Sequence, residues 1–347
     1  MPNALTNTDP ALRRCWHPVA RAEDVTDQPH GIVLLGRPWA LWRVDGELRA
    51  FADRCPHRGC PLSLGRCEGG VLRCAYHGWR FDGSGRCVEI PALGPGATLP
   101  PAARLVAAAG VTESHGMVFV APEEPITPLG TVPEDGDPSF LVGVLPTVRT
   151  RGSAGLLADN FLDVAHFPFV HAGTFGADEA AEVTPFAVAR DGWSFSVSYE
   201  HSFANREDPG VAAGIRPLIQ TRRLTYVLEA PFHLRLRIDF LDSGGSNVIG
   251  FFIQPETEDT CRLFTTLWRD DLGGDEVRMA EAVAFELDVL REDLRVQGAY
   301  HELALPLDPT AEVHTRADRN TLELRRVLCD LVTAAAPATA AGEGDGR

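Results

Sequence analysis

Two different patterns of apolar and polar residues divide the chain. In the first third, short runs rich in Val, Leu and Trp occur at 31–36, 40–44, 48–52 and 116–121. Asp45-Gly46 stands between two of these runs, and an Asp-Gly pair in that position is a hairpin signal. This pattern predicts a β-rich domain over residues 16–125, preceded by a loosely held lead-in at 1–15.

The pattern changes after a stretch rich in Pro, Gly and acidic residues, which we interpret as a linker over 126–145. Strand-like alternation follows at 192–200, 222–230, 232–241, 247–254 and 261–268. Helical segments are predicted before these strands, near 155–170, and after them, over 275–302. Strands enclosed by helices indicate an α+β domain with an antiparallel sheet, placed at 146–332. The Ala-, Gly- and Pro-rich segment 333–347 is expected to be a disordered tail.

Composition limits the partners and the chemistry. The 347 residues carry a formal net charge of −16, which disfavours nucleic acid and anionic membranes as partners. The chain has no lysine, which excludes Schiff-base chemistry. No secretory signal and no apolar run long enough to span a bilayer are visible, so a soluble, cytoplasmic protein is expected. His17, between Trp16 and Pro18, is expected to be a packing residue.

Two short Cys-and-His motifs predict a metal site. Cys55 and His57 form one pair, and Cys74 and His77 form the other after sixteen intervening residues. Two cysteines and two histidines could hold a tetrahedral zinc ion. Each motif here supplies one thiolate and one imidazole, and a Rieske [2Fe-2S] cluster needs two cysteines on one iron and two histidines on the other. The mixed pairs favour the cluster and leave zinc as the alternative.

The residues around these pairs, Cys55-Pro56-His57-Arg58-Gly59 and Cys74-Ala75-Tyr76-His77-Gly78-Trp79, resemble the two cluster loops of the Rieske family. Respiratory members of that family join their loops by an extra disulfide. The first loop here has Cys60, but the second has no cysteine beside its ligands. The resemblance therefore favours the oxygenase and soluble ferredoxin type.

A second motif lies in the α+β domain: Asn160, Asp163, His166 and His171. Two histidines five residues apart, with Pro168 between them, can converge on one ion where a helix ends. They could equally be hydrogen-bonded core residues. Following a Rieske domain, however, the motif resembles the mononuclear iron segment of Rieske non-haem iron oxygenase α subunits, most closely the dicamba and vanillate O-demethylase type. That resemblance implies a helix-grip catalytic domain with Fe(II) bound by His166 and His171.

Non-haem iron of this kind takes two histidines and one carboxylate. The predicted helix 275–302 offers Glu281, Glu286, Asp288, Glu292 and Asp293. Asp288 and Glu292 have charged neighbours three and four residues away, so both are expected to face water. Periodicity leaves Glu286 and Asp293, and the resemblance selects Asp293, the second residue of a Glu-Asp pair. Asp159 is a further alternative that the family motif does not use.

The resemblance also implies roles for the remaining motif residues. In the family, three subunits form a ring that places the Rieske centre of one beside the iron of the next. The aspartate of the motif links an iron-ligand histidine to a cluster-ligand histidine of the neighbouring chain. The matching residues are Asp163, His166 and His77. Asn160 matches a residue near the iron, to which we assign a supporting role.

The expected function is that of a terminal oxygenase that uses O2 to hydroxylate or oxidatively O- or N-dealkylate an aromatic or other medium-sized hydrophobic molecule. No Gly-rich dinucleotide fingerprint follows a strand. An NAD(P)H-dependent reductase, with or without a ferredoxin, is therefore the expected donor. A cis-dihydroxylating dioxygenase, a pure Rieske electron carrier and a zinc-stabilised binding module are the alternatives. The substrate pocket is expected within 200–270, a stretch that contains Phe203, Phe232, Phe240, Phe252, His201 and His233.

Overall fold

The structure is a computed structural model that describes residues 3–176, 181–205 and 208–336. Its N-terminal part is built from short antiparallel strands and its C-terminal part from one large sheet with helices. This is the α+β class expected from the sequence. In the described part of the chain, no helix is long and apolar enough to cross a bilayer.

The N-terminal part contains three small sheets. Its strands are β1 (Ala4–Leu5), β2 (His17–Arg21), β3 (His30–Leu34), β4 (Arg37–Val44), β5 (Glu47–Ala52), β6 (Arg66–Glu68), β7 (Val71–Arg73), β8 (Arg80–Phe81), β9 (Cys87–Glu89), β10 (Gly110–Ser114) and β11 (Met117–Ala121). The sheets have the orders β3-β4-β5, β6-β7-β8-β9 and β10-β11-β2. Asp45 and Gly46 adopt φ values of 52° and 85° between β4 and β5, so the predicted hairpin is confirmed.

A separate apolar core holds the first two of these sheets together. Trp42 of β4 stacks on Phe51 of β5 with 5.1 Å between ring centroids, and Leu72 and Phe81 pack beside them. All four side chains are buried because alternate residues of a strand point to the same face. The loops after β5 and β7 leave this core at the same end, and they carry the two Cys-and-His motifs.

The C-terminal part is organised around one antiparallel sheet with the order β12-β19-β18-β17-β16-β15-β14. Its strands are β12 (Leu141–Val144), β13 (Val148–Arg151), β14 (Val188–Asp191), β15 (Ser194–Ala204), β16 (Ile219–Glu229), β17 (His233–Phe240), β18 (Ser246–Pro255) and β19 (Thr260–Arg269), with β20 (Leu305–Pro306) pairing with β1 outside the sheet. The five strands predicted from alternation correspond to β15–β19. In β16 and β17, buried residues alternate with partly exposed ones, so one face of the sheet packs inward.

Within the described residues, five α-helices accompany the sheet: α1 (Ala154–Leu162), α2 (Phe167–Val170), α3 (Pro209–Ala212), α4 (Glu276–Gln297) and α5 (Arg319–Ala335). The segment predicted as one helix near 155–170 is two helices, because the chain turns to extended backbone at Asp163. Asp275 caps α4 by accepting hydrogen bonds from the backbone N–H groups of Val277 and Arg278. Helix α5 was not predicted from the sequence.

Three predicted boundaries are wrong in part. The lead-in is not loose: Leu5 and Leu12 are buried, and β1 pairs with β20. The end of the predicted linker is β12, which pairs with β19 inside the large sheet. Helix α5 continues through Ala335, since Leu328 and Leu331 give it a buried face, so the first residues of the predicted tail are helical. The rest of that tail, 337–347, lies outside the described residues.

The two parts pack directly on each other. The imidazole Nε2 of His233 in β17 hydrogen-bonds the carbonyl oxygen of Trp16 at 3.0 Å, and Phe119 of β11 packs edge-on against Phe252 of β18. His17 is fully buried beside them, with Nε2 2.7 Å from the carbonyl oxygen of Leu12. His17 is thus a packing residue, as predicted.

Candidate metal centres and active site

The two Cys-and-His loops repeat one backbone turn. The N–H of Gly59 donates to the carbonyl of Cys55, and the N–H of Gly78 donates to the carbonyl of Cys74. Both glycines have φ near 70°, a left-handed conformation that residues with a Cβ rarely adopt. Each loop therefore closes on its own cysteine and directs the histidine two or three residues later to the same side.

All four predicted cluster ligands meet at one tip. The thiol of Cys55 lies in contact with that of Cys74, and both cysteines are 2% exposed. The rings of His57 and His77 are 4.4 Å apart between centroids, and His57 stacks on the indole of Trp79. The cysteines lie inside and the histidines lie toward the surface. This arrangement suits a two-iron cluster with one buried iron and one iron at the surface.

Cys60 is not part of a disulfide. All eight cysteines are free, and the Cys60 thiol lies next to Cys74. Burial raises the pKa of the Cys55 thiol to about 11, and Cys74 and Cys60 add to that effect. A bound metal ion reverses this preference, because a coordinated thiol is deprotonated.

The second predicted site is a compact triangle of three ligand atoms. Nε2 of His166 lies 3.2 Å from Nε2 of His171, and Oδ1 of Asp293 lies 3.4 Å from each of them. Metal–ligand bonds of about 2.1 Å at right angles place neighbouring ligand atoms about 3 Å apart. The triangle therefore matches one face of an octahedral ion and leaves the opposite face open.

Local structure explains how these residues converge. Helix α1 ends at Asp163, and His166 and His171 flank the four-residue helix α2, so both imidazoles turn to the same side. Asp293 lies on the buried face of α4, which packs against α1 and α2. The sequence supplied the two histidines as a local motif, whereas Asp293 arrives from more than a hundred residues later.

Hydrogen bonds from neighbouring residues fix each ligand. Oδ2 of Asp163 lies 3.2 Å from Nδ1 of His166, and Oε2 of Glu292 lies 2.9 Å from Nδ1 of His171. The side-chain amide of Asn160 donates to Oδ1 of Asp293 at 3.3 Å. Contacts of this kind set the orientation and basicity of metal-bound imidazoles. Asn160 thus contacts Asp293, and its supporting role stays a prediction.

The prediction that Glu292 faces water is wrong. Its carboxylate also accepts a hydrogen bond from the hydroxyl of Thr174 at 2.9 Å, and its side chain is only 24% exposed. The periodicity argument considered neighbours on α4 alone, and it could not include residues that pack on the helix from α2. The sequence did contain a signal for the position of Glu292, namely its place directly before Asp293. Of two adjacent acids on a helix, one can bind a metal ion while the other accepts a hydrogen bond from a histidine.

The other candidate acids lie elsewhere. Asp288 is exposed and pairs with Arg291 at 2.8 Å, as predicted. Asp159 forms a two-oxygen ion pair with the buried guanidinium of Arg325. Glu286 lines the cavity in front of the triangle but contributes no atom to it. Among the described residues, His166, His171 and Asp293 form the one group of three or more metal-binding side chains within 4.8 Å.

The charges around the triangle suit a cation. Burial opposes protonation of His166, yet the carboxylates of Asp163 and Asp293 outweigh it and raise the pKa of this imidazole to about 9. Burial likewise works against ionisation of Asp293, but both histidines hold its pKa at about 2. A buried carboxylate that stays ionised between imidazoles is what a divalent ion requires.

An apolar cavity of about 100 Å³ opens in front of the triangle. The sheet provides Phe203, Phe240 and Ile249, as expected from the range 200–270, whereas Phe232 and Phe252 do not line it. The rest of the wall comes from helices and loops that the sequence did not assign to the pocket, chiefly Phe161, Phe175 and Phe285. His201 and His233 do not line it either, in agreement with the prediction that they are ordinary polar residues.

The two sites together define the class of this protein. One is a loop tip with two cysteines and two histidines, and the other has two histidines and one carboxylate that face an apolar cavity. This combination is that of an oxidoreductase with two iron centres. The model of the vanillate O-demethylase oxygenase C-terminal domain matches residues 150–334, and the model of the Rieske [2Fe-2S] domain matches residues 15–106. The chain belongs to the Rieske non-haem iron oxygenases. Within that family it is similar to the oxygenase (α) subunits of the demethylase type. Its cofactors are a Rieske [2Fe-2S] cluster and a mononuclear iron.

Characterised relatives agree with this family. The methylxanthine N3-demethylase NdmB of Pseudomonas putida is 29% identical over 91% of this chain and 88% of its own length. The oxygenase component of dicamba O-demethylase of Stenotrophomonas maltophilia is 35% identical over 52% of this chain. Chlorophyllide a oxygenase of Chlamydomonas reinhardtii is 37% identical over 47% of this chain. The matches span 54% of the dicamba enzyme and 25% of the chlorophyllide enzyme.

Solved structures show the same fold. A mutant of NdmA from Pseudomonas putida CBB5, solved with theobromine, superposes with a TM-score of 0.81 at 25% identity, covering 94% of this chain and 93% of that one. The superposition includes both parts of the molecule. The order of a small-sheet domain followed by a large sheet with helices is therefore a shared architecture.

Proposed function

We propose that this chain is the terminal oxygenase component of a monooxygenase that hydroxylates or oxidatively O- or N-dealkylates a small aromatic or other hydrophobic molecule. The observation that carries the proposal is the triangle of His166, His171 and Asp293 facing an apolar cavity. A mononuclear non-haem iron supplies O2 activation when bound. In this proposal the three residues hold the ion, while Cys55, His57, Cys74 and His77 hold the cluster.

The protein residues contribute orientation and exclusion of water. Asp163 and Glu292 each fix the ring of one ligand histidine. Phenylalanine side chains dominate the cavity wall, so water is displaced when an apolar substrate enters. Asn160 anchors Asp293 and lies at the edge of the same cavity.

The size of the cavity supports a small substrate. An engineered apolar cavity of about 150 Å³ accommodates benzene, and the cavity here is about 100 Å³. A molecule close to one aromatic ring in size is therefore appropriate. Among the relatives, this favours a substrate of the kind named for the methylxanthine and dicamba demethylases over that named for chlorophyllide a oxygenase. The demethylase relatives also favour monooxygenation over cis-dihydroxylation.

We further propose a head-to-tail homotrimer in which Asp163 contacts His77 of the neighbouring chain. The side chain of Asp163 is 32% exposed, and His77 is exposed at the cluster tip. A large apolar side chain lies exposed within each metal motif: Tyr76 at 63% and Phe169 at 69%. Contacts between two different patches build a ring when the rotation from one subunit to the next is a whole fraction of a turn, and a third of a turn gives a trimer.

Mixed rings test this arrangement. His77→Ala removes a cluster ligand and Asp293→Ala removes an iron ligand, so each variant alone is expected to be inactive. When both are produced together, some rings place an intact cluster beside an intact iron site of the next chain. Part of the activity should return. Co-produced chains that assemble but remain as inactive as either variant alone would contradict the ring.

The electron donor is proposed to be an NAD(P)H-dependent reductase, alone or with a ferredoxin, in the cytoplasm where NAD(P)H is available. The chain as a whole has a net charge of −16, yet three exposed arginines lie in or beside the two cluster loops: Arg54, Arg58 and Arg73. A local positive patch on an acidic protein fits a donor with an acidic face and speeds its encounter.

One experiment tests the oxygenase proposal. The iron-loaded protein is supplied with a surrogate reductase, NADH, ¹⁸O2 and a panel of methoxy- and N-methyl-aromatic compounds. The expected result is three irons per chain, a Rieske EPR signal after reduction, and a hydroxylated or demethylated product in which mass spectrometry detects ¹⁸O. Two irons per chain with no oxygen incorporated would instead indicate the electron carrier, and bound zinc would indicate the binding module.

A further inference from the structure

The floor of the cavity is one face of the large sheet, and strand register shows which residues share it. Tyr226 of β16 pairs with Leu236 of β17, which pairs with Ile249 of β18. In the next row, Ile238 of β17 pairs with Asn247 of β18. All five residues line the cavity. Tyr226 and Asn247 are therefore the two polar members of this group of five, whose other members are aliphatic.

Both polar side chains are buried and lack a partner in the described part of the chain. Tyr226 is completely buried and Asn247 is 7% exposed. Neither the hydroxyl of Tyr226 nor Oδ1 of Asn247 has a hydrogen-bond partner among the described residues. The hydroxyl of Tyr199 lies close to that of Tyr226, but the two do not reach hydrogen-bonding geometry. Native proteins leave few buried polar atoms unsatisfied, and those that remain call for an explanation.

Other polar groups of the cavity wall are held by the protein itself. The guanidinium of Arg269 binds both oxygens of Asp271 at 2.7 Å, and the amide of Asn205 donates to Gln220 at 2.9 Å. The guanidinium of Arg222 lies over the ring of Phe203 at 4.3 Å. These contacts give the three groups roles in holding the wall. The hydroxyl of Tyr226 and Oδ1 of Asn247, by contrast, have no hydrogen-bond partner in the part of the chain that the structure describes.

We infer that Tyr226 and Asn247 are the pair that recognises the substrate, and that the substrate is a neutral planar ring with a polar substituent. The hydroxyl of Tyr226 donates to a carbonyl or phenolic oxygen carried by the ring. Oδ1 of Asn247 accepts from an O–H or N–H group of the substrate. The inference rests on the proposed function, because it assigns the same cavity to the substrate of the oxygenase.

The physical reason is that a ligand which completes these two hydrogen bonds removes a cost that the free protein carries. A buried hydroxyl or carboxamide left without a partner is destabilising. A site built around such groups binds the matching substrate and rejects an analogue that lacks the matching atom, since the analogue leaves the group unpaired. Burial also raises the pKa of Tyr226, so its hydroxyl keeps its proton and remains a donor at neutral pH.

Three probes of similar size separate the two contacts. Anisole offers no strong polar substituent, 4-methoxyacetophenone adds an acceptor, and 4-methoxyphenol adds a donor and an acceptor. Calorimetry measures the Kd of each probe for the iron-loaded protein without requiring turnover. In the unaltered protein, 4-methoxyphenol and 4-methoxyacetophenone should bind about 5-fold or more tightly than anisole, the scale of one net hydrogen bond.

The variants then assign each contact. Tyr226→Phe should abolish the preference for 4-methoxyacetophenone over anisole and weaken that for 4-methoxyphenol, which keeps its contact with Asn247. Asn247→Leu should weaken the preference for 4-methoxyphenol alone, because its phenolic oxygen still accepts from Tyr226. Tyr199→Phe is the matched control, because Tyr199 is 6% exposed and also lacks a hydroxyl partner but does not line the cavity. It should leave all three Kd values unchanged. The ratio of polar to apolar binding within one variant is independent of how much of that variant is folded.

Several outcomes overturn the inference: equal Kd values for the three probes in the unaltered protein, no binding of any probe, an equal loss for all probes in Tyr226→Phe, or the same effect from Tyr199→Phe. Failure of the oxygenase proposal has a different signature. In that case, the probes bind with the expected preference while no labelled oxygen enters a product.

Discussion

The two metal centres of this protein differ in where their proposed ligands lie. The proposed cluster ligands occupy the tips of two loops, with His77 exposed. The proposed ligands of the mononuclear site lie on or between helices, with side-chain exposures of 2% for His171, 13% for His166 and 16% for Asp293. One centre is presented to the surface, and the other faces an internal cavity.

This difference follows the chemistry that each centre performs. A centre that exchanges electrons with another protein needs a short path to the surface, and loop tips provide it. A centre that activates O2 beside a hydrophobic substrate needs a dry, shaped space, which helices packed on a sheet provide. The difference also predicts that the two sites respond independently to mutation.

The largest expected effect comes from removing the buried carboxylate. Asp293→Ala should lower iron content from three to two atoms per chain and reduce product formation by more than about 10³-fold, the scale of losing an essential catalytic group. The Rieske spectrum should be unchanged, because no cluster ligand is touched. Metal analysis and EPR measure both quantities. A variant that lost the cluster signal as well would show that the centres are not independent.

Asp163→Asn tests the link between the two centres. The amide keeps the shape of the side chain but removes the charge that orients His166, so product formation should fall about 10- to 100-fold with both metals still bound. Single-turnover assays follow product, and iron content is measured on the same sample. Near-normal turnover would exclude the proposed bridge.

Glu292→Gln tests the hydrogen bond to His171, which the sequence did not predict. Iron affinity at the mononuclear site should weaken about 10- to 100-fold, because the ligand imidazole loses a carboxylate partner. Competition with a chelator measures the affinity. Asp288→Asn, on the exposed face of the same helix, is the control and should have no effect. Equal behaviour of the two variants would remove Glu292 from the site.

The smallest expected effect concerns buried histidines that bind no metal. Burial lowers the pKa of His17 to about 4, and burial together with the charge of His17 lowers that of His233 to about 3. The unfolded chain therefore binds more protons than the folded one below pH 6.5. The stability that neutral histidines contribute is complete above that pH and declines as the pH falls toward 4. Each histidine should lower the free energy of unfolding by up to about 2 kcal/mol at pH 5.

Urea unfolding at pH 7 and pH 5 measures this effect. His17→Gln should make the loss of stability between the two pH values smaller by up to about 2 kcal/mol relative to the unaltered protein. His301→Gln, at an exposed position, should leave the loss unchanged. Comparing variants in this way cancels the contribution of the metal-site histidines. An unchanged pH dependence in His17→Gln would show that His17 is not held neutral.

Local sequence determined much of this protein. Both metal motifs place two ligands within six residues of each other, so their spacing is visible without a fold. Alternation along β15–β19 likewise predicted the sheet, because each strand buries one face. Helix α4 was predicted by its periodicity, and its end was overestimated by five residues, since Gly298 interrupts it while the polar pattern continues.

Tertiary structure decided which distant residues meet. Periodicity along α4 left Glu286 and Asp293 as possible ligands and assigned Glu292 to water, because it describes the neighbours of a residue only within its own helix. The packing of α2 on α4 brought His171 to Glu292 and both histidines to Asp293. The pairing of β16, β17 and β18 placed Tyr226 and Asn247 on one cavity floor. Contacts between segments far apart in sequence depend on how whole elements pack, and no local pattern records that.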